Sequence, residues 1–143
     1  MKIFVVLAVS IVLVSIFFCP MVMAAPSSMP NDVQMVQPDP SLPKELAAFW
    51  GKWEGASNVQ FYLIVEKIDK EKAFLYLWRS PCGEALTPCW MRYEAQVTKE
   101  GRKYKLQFRS RFANVELTLK GEILGYSGSD TIFEPATQLK RVQ

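Results

Sequence analysis

Residues 90–127 read WMRYEAQVTKEGRKYKLQFRSRFANVELTLKGEILGYS. Trp90 to Thr98, Lys103 to Arg109, Asn114 to Leu119 and Glu122 to Ser127 are short runs rich in aromatic and β-branched residues, bounded by polar or glycine-bearing punctuation. That pattern predicts strands. Lys99 to Arg102 and Lys120 to Gly121 are too short to join anything but antiparallel neighbours, so they read as hairpin turns.

The same pattern continues in both directions. Phe49 to Gly55, Gln60 to Ile68 and Ala73 to Trp78 precede the quoted stretch, with a tight turn at Asp69 to Lys72, and a last strand falls within Thr131 to Val142, where Pro135 is placed to break or bulge it. Only Pro43 to Ala48 looks helical, which excludes a parallel βαβ sheet. The expected fold is all-β, an up-and-down antiparallel barrel of about eight strands, with a coiled sandwich as the alternative. The tight turns alternate with longer or more irregular links at Ala56 to Val59, Arg79 to Cys89, Ser110 to Ala113 and Gly128 to Asp130. In such a barrel alternate links lie at opposite ends, so the long set would form one rim, a candidate mouth.

Ahead of the barrel, Lys2 is followed by the uncharged stretch IFVVLAVSIVLVSIFFCPMVMA, interrupted only by Ser10, Ser15 and Pro20. This is a signal-peptide pattern over residues 1–24, with cleavage after Ala24 and a mature start at Ala25. The run exceeds the roughly 7–15 apolar residues of an ordinary signal core, so an uncleaved N-terminal anchor is the alternative. Either way the domain is expected outside the cytoplasm, periplasmic or extracellular. Cys19 lies between Phe18 and Pro20, which are not the small neighbours that lipidation signals use. Residues 25–47 read as a Pro-rich linker with a short helical lead-in. Five of the nine prolines fall at Pro26, Pro30, Pro38, Pro40 and Pro43, and such a composition predicts an extended tether without a core of its own. Residues 48–143 form the barrel domain.

Phe49-Trp50-Gly51-Lys52-Trp53-Glu54-Gly55 opens the first strand. Gly51 and Gly55 let the backbone bend or be approached closely, and Trp53 supplies a large apolar plug. A helical turn leading into this Gly-x-Trp strand, followed by antiparallel hairpins, resembles the calycin superfamily of lipocalins, fatty-acid-binding proteins and avidins. The resemblance implies a closed barrel in which a basic residue of the last strand packs across the tryptophan. Arg141 is placed to do so, making Gly51, Trp53 and Arg141 the expected barrel base.

The chain has 143 residues, 50% hydrophobic and 22% charged, with three cysteines and no histidine. Lacking histidine, it has no imidazole-based triad, no His-ligated metal and no imidazole pH sensor. Losing Lys2 with the leader lowers the formal net charge from +3 to +2, which gives no footing for nucleic acid. Paired carboxylates such as Glu54 with Glu66 or Glu94 with Glu116 come with no nucleophile elbow, phosphate loop or EF-hand spacing, so neither enzyme activity, metal nor cofactor is expected.

Cys82 and Cys89 remain after leader removal, and in an oxidising compartment they are expected to form a disulfide stapling the longest link. Arg79, Arg109 and Arg111 fall at or beside the long-link end and Arg92 just inside it. Lys67, Lys70, Lys72, Lys99 and Lys103 gather at the other end. With Trp78 and Trp90, these arginines form a candidate rim for a small anionic or amphipathic ligand; the alternative is a solvated charged rim balanced by Glu84, Glu94 and Asp130. Phe74, Tyr76 and Trp78 alternate with Ala73, Leu75 and Leu77, so both faces of that strand are apolar, expected to be covered on both sides or to meet a partner. Tyr62, Tyr76 and Tyr93 could instead orient a ligand inside a cavity. The leading expectation is an exported small-ligand-binding module. The alternatives are a non-catalytic envelope domain with a filled barrel that docks a protein partner, and an inhibitor presenting the 79–89 loop. Membrane contact is expected only through an uncleaved N-terminal segment.

Overall fold

A computed structural model describes residues 29–55, 61–82, 87–111, 113–129 and 137–142, with the backbone alone for residues 79–82 and 87–88. A short helix α1 (Lys44–Ala47) leads into eight strands: β1 (Gly51–Gly55), β2 (Phe61–Ile68), β3 (Lys72–Cys82), β4 (Thr87–Glu100), β5 (Lys103–Arg109), β6 (Asn114–Lys120), β7 (Ile123–Gly128) and β8 (Thr137–Val142). Each strand pairs antiparallel with the next, and β8 returns to β1, closing the barrel. The up-and-down barrel read from the sequence is the fold, and closure leaves the sandwich alternative aside.

The turns explain the order. Asp69 accepts hydrogen bonds on its carboxylate from the N–H groups of Glu71 at 2.8 Å and Lys72 at 2.9 Å, an Asx-type cap on the β2–β3 turn. These backbone bonds hold the carboxyl below its usual pKa. The β4–β5 and β6–β7 turns each open on a glycine at φ 61°, Gly101 and Gly121, a backbone that other residues rarely adopt. All three tight turns lie at one end, the base, and the four other links lie at the mouth.

Alternate side chains point inward and form one apolar cluster. It runs from Leu42, Leu46 and Phe49 under the base, through Leu63, Leu75, Leu106 and Leu117, to Phe61, Phe108 and Tyr126 toward the mouth. Burying each such side chain contributes about 1.5–3 kcal/mol relative to leaving it in water.

Two strands are longer than the sequence reading. β3 and β4 run on to Cys82 and Thr87, where a link was expected from Arg79 to Cys89. The prolines that signalled a loop are absorbed by the edge. The β3–β4 register shifts between Arg79 and Cys82, which accommodates Pro81, and β4 pairs with β5 only from Gln96 onward, so Pro88 removes no donor from that ladder.

Trp53, Arg141 and Gly51 meet at the base. Trp53 is 1% exposed, and its indole N–H donates to the Phe49 carbonyl at 3.0 Å. Trp53 and Arg141 are direct partners in the β1–β8 ladder, with the guanidinium 4.3 Å from the ring centroid. Arg141 also donates to the carbonyls of Trp50 and Ala48, which follow α1 and have no helical partner. Gly51 sits at φ 125°, and a Cβ there would stand 2.7 Å from Arg141 Nη1. Gly51→Ala is therefore expected to destabilise the fold by about 1–3 kcal/mol, read as a lowered denaturation midpoint at unchanged m-value, whereas an unchanged midpoint would mean that Arg141 does not press on this backbone.

Candidate functional site on the outer wall

The sequence FYLIVEKI of β2 departs from strict alternation at Glu66-Lys67, and the structure shows why. The β2–β3 register shifts between Val65 and Lys67, so Glu66 and Lys67 both lie outside while Val65 and Ile68 point inward. Such a bulge re-aims one side chain. Glu66 is on the outer surface yet only 3% exposed.

What buries it is the segment expected to be a free tether. Residues 33–39 are extended between a turn at Asn31–Asp32 and another at Pro40–Leu42, and from Asp32 onward the segment lies against β2 and β3 as a strap rather than standing off the domain. The Gln34 N–H donates to Glu66 Oε2 at 3.1 Å, and the Val36 N–H donates to the Glu66 carbonyl at 2.8 Å. The Tyr76 hydroxyl donates to Asp32 Oδ2 at 2.7 Å. The strap descends toward the base, where Leu42 joins the core, and it buries Tyr76 and Ile64 to 3% exposure each. This is the cover over the second apolar face of β3. Burial first, then the bond to Asp32, pushes the Tyr76 hydroxyl up to about 12.

Arg92 completes the arrangement. Its Nε and Nη2 both donate to Glu66 Oε1, at 3.2 and 2.6 Å, and its guanidinium lies 5.3 Å from the Phe74 ring centroid and 5.7 Å from that of Tyr76. Hydrogen bonding to Glu66 is the main reason its pKa is raised further. An open cleft of about 440 Å³ lies between strap and wall, lined by Asp32, Gln34, Val36, Glu66, Lys67, Phe74 and Arg92.

The residues expected at a rim therefore separate. Trp78 and Trp90 are register partners on β3 and β4, with ring centroids 5.5 Å apart, and they face outward with Tyr76 and Arg92. Arg92 is committed to the outer wall. Arg109 is exposed on β5 and donates to Asn114 Oδ1 at 3.0 Å, while Arg111 is exposed in the β5–β6 link. Arg79 pairs with Cys89 through the backbone, and its side chain lies outside the described residues, as does that of Cys82. Cys89 is engaged. Glu84, Asp130 and most of the 79–89 loop tip also fall outside the described residues.

The mouth end holds a feature the sequence reading missed. Phe61 packs on Tyr126 with centroids 5.2 Å apart, and Tyr93 on Phe108 at 4.8 Å. Phe61, Phe108 and Tyr126 point inward and are at most 6% exposed. Alternation placed each of them on a face, but only the register brings them together.

The carboxylates considered as pairs in the sequence do not form isolated acid pairs. Glu54 pairs with Tyr62, several residues from Glu66 along β2. Glu94 and Glu116 line one open outer cleft of about 560 Å³, but Glu94 lies 3.6 Å from Lys72 Nζ and Glu116 3.2 Å from Lys105 Nζ. Among the described residues no group of three or more Cys, Asp or Glu side chains is placed to hold a metal ion. No family model, curated protein or solved structure matches the chain.

Glu66→Ala leaves the Gln34 N–H and one face of Arg92 without their acceptor, a loss of about 1–3 kcal/mol. Limited proteolysis should then cut between Asp32 and Val36 roughly tenfold faster or more, and the tyrosine that ionises near pH 12 should shift toward the usual 10. The Tyr76 contact is present in full below pH 10 and is lost as pH rises through about 12. Unchanged cleavage would show that the strap is held by other contacts.

Proposed function

We propose that this is an exported, non-catalytic barrel of calycin-like build that works from its outer surface as an interaction domain, its interior being occupied by its own side chains. The observation that carries this reading is the pair of ring stacks Phe61–Tyr126 and Tyr93–Phe108 above a core of leucines. Small eight-stranded barrels commonly have room for little else. The outward row Phe74, Tyr76, Trp78 and Trp90, partly covered by the strap, gives the outside the aromatic surface that interaction sites favour. The lack of histidine and the commitment of Glu66 and Glu116 to ion pairs support a non-catalytic role.

In this reading Cys82 and Cys89 cross-link the β3–β4 hairpin after export. Cys82 pairs in register with Thr87, and Arg79 with Cys89, so the two cysteines are near neighbours across the ladder. The staple would stiffen the hairpin near Trp78 and Trp90. A carrier for a small anionic or amphipathic molecule is the second reading. It draws on the four mouth links sharing one end and on the exposed Arg109 and Arg111 there.

Native mass spectrometry of the exported chain, purified from its own host, separates the two. The outer-surface reading expects a mass short by two hydrogens, whether the chain starts at Ala25 or keeps its N-terminal stretch as an anchor, with no small-molecule adduct. An adduct that survives gentle conditions and disappears on denaturation would overturn it in favour of the carrier and give the ligand mass.

A further inference from the structure

The strap fixes where the barrel sits relative to the apolar N-terminal stretch. In sequence that stretch ends at Ala24, and the first side chain bonded to the wall is Asp32. Eight extended residues span no more than about 29 Å. While the stretch remains in a bilayer, during export or as a retained anchor, the wall is held within that distance of the lipid. The free tether expected from composition would have imposed no such limit.

The strap also fixes which part of the wall faces the lipid. Leu42 lies at the base, Val36 bonds to Glu66 part-way up, and Asp32 bonds to Tyr76, whose register partner Ile64 lies nearer the mouth than Glu66. Followed back toward the N-terminus, the strap therefore climbs toward the far half of the β3–β4 hairpin. There Trp78 and Trp90 face outward, partly buried, beside Tyr62, the register partner of Trp78. Met29, three residues before Asp32, is 45% exposed. The exposed Arg109 and Arg111 lie at this same end.

We propose that the Trp78–Trp90 end of the β3–β4 hairpin rests in the headgroup layer of a phospholipid bilayer, with Arg109 and Arg111 toward anionic headgroups. This rests on the reading of an exported barrel that works from its outer surface. Indole rings prefer the interface because they carry an apolar body and one polar N–H, and arginine adds attraction to anionic lipid. A single hydrophobic stretch and a docked strap bring the surface there, so the pair acts as a second, weak contact that orients the barrel.

The test uses the full chain reconstituted into vesicles of phosphatidylcholine with phosphatidylglycerol, part of the lipid brominated close to the headgroup. Tryptophan emission should be strongly quenched, and the Trp78→Phe/Trp90→Phe variant should lose most of that quenching, since the two remaining tryptophans lie toward the opposite end, Trp53 buried and Trp50 bonded to the Glu66 carbonyl. Equal quenching in both proteins, or none in either, overturns the proposal. A measurement on the unsubstituted chain stands independently of the variant's folding: adding vesicles should lower acrylamide quenching of its emission at least twofold, and unchanged acrylamide quenching overturns the proposal. Failure here alongside an adduct-free native mass would leave the outer-surface reading standing, whereas a small molecule retained inside would remove that reading itself.

Discussion

The contact between Arg141 and Trp53 is the constraint on which the rest of the barrel depends. The two residues are cross-strand partners in the β1–β8 ladder, the seam that turns a curved sheet into a closed one. They come from opposite ends of the domain, so their meeting requires every intervening hairpin to be in register. One guanidinium does three things there. It covers the indole that plugs the base, and it donates hydrogen bonds to the orphan carbonyls of Ala48 and Trp50, tying α1 to the seam. Gly51 is the space this needs, since any side chain would meet the guanidinium. Base, seam and entry helix therefore form one cooperative unit, and α1 brings Leu46 and Phe49 into the same core.

With the base closed by Trp53 and the mouth end occupied by stacked rings, the chemistry of the protein moves outward. The bulge at Glu66 is the device that makes the outer wall specific. It buries a carboxylate under the strap and gives it three donors, two from Arg92 and one from the strap backbone. A buried carboxylate without those partners would be strongly destabilising, so strap, bulge and Arg92 stand or fall together. The strap is then part of the domain from Asp32 onward.

Much of this was legible in the residues. β5 was bounded correctly at both ends and β6 to within a residue, because period-two alternation and short turns leave little freedom, whereas β4 runs past both of its expected ends, from Thr87 to Glu100. Gly51, Trp53 and Arg141 were named as a base only through the resemblance to calycin barrels, in which a basic residue of the last strand packs across the tryptophan of a Gly-x-Trp first strand. The length of the β3–β4 hairpin was not legible. Pro81 and Pro88 are loop signals unless one knows that the first meets a register shift and the second an unpaired stretch of edge. The place of Arg92 was not legible for a related reason, while Arg109 and Arg111 do lie exposed at the mouth end. Arg92 has outward parity, and its partner Glu66 lies outside only because a bulge breaks the alternation of β2. The strap carried no signal of its own: a polar, proline-rich segment has no periodicity, and its docking is written in β2 and β3 rather than in itself.

A double-mutant cycle on Trp53 and Arg141 tests the central claim most directly. Denaturant unfolding of the parent, Trp53→Leu, Arg141→Gln and the double variant isolates their mutual dependence. If the pair closes both seam and base, the coupling should be about 1–2 kcal/mol, above the roughly 0.3–0.5 kcal/mol scatter of independent sites. Strictly additive losses would contradict the account, because Arg141 would then be an exposed residue near the seam and the barrel would be held closed by something else.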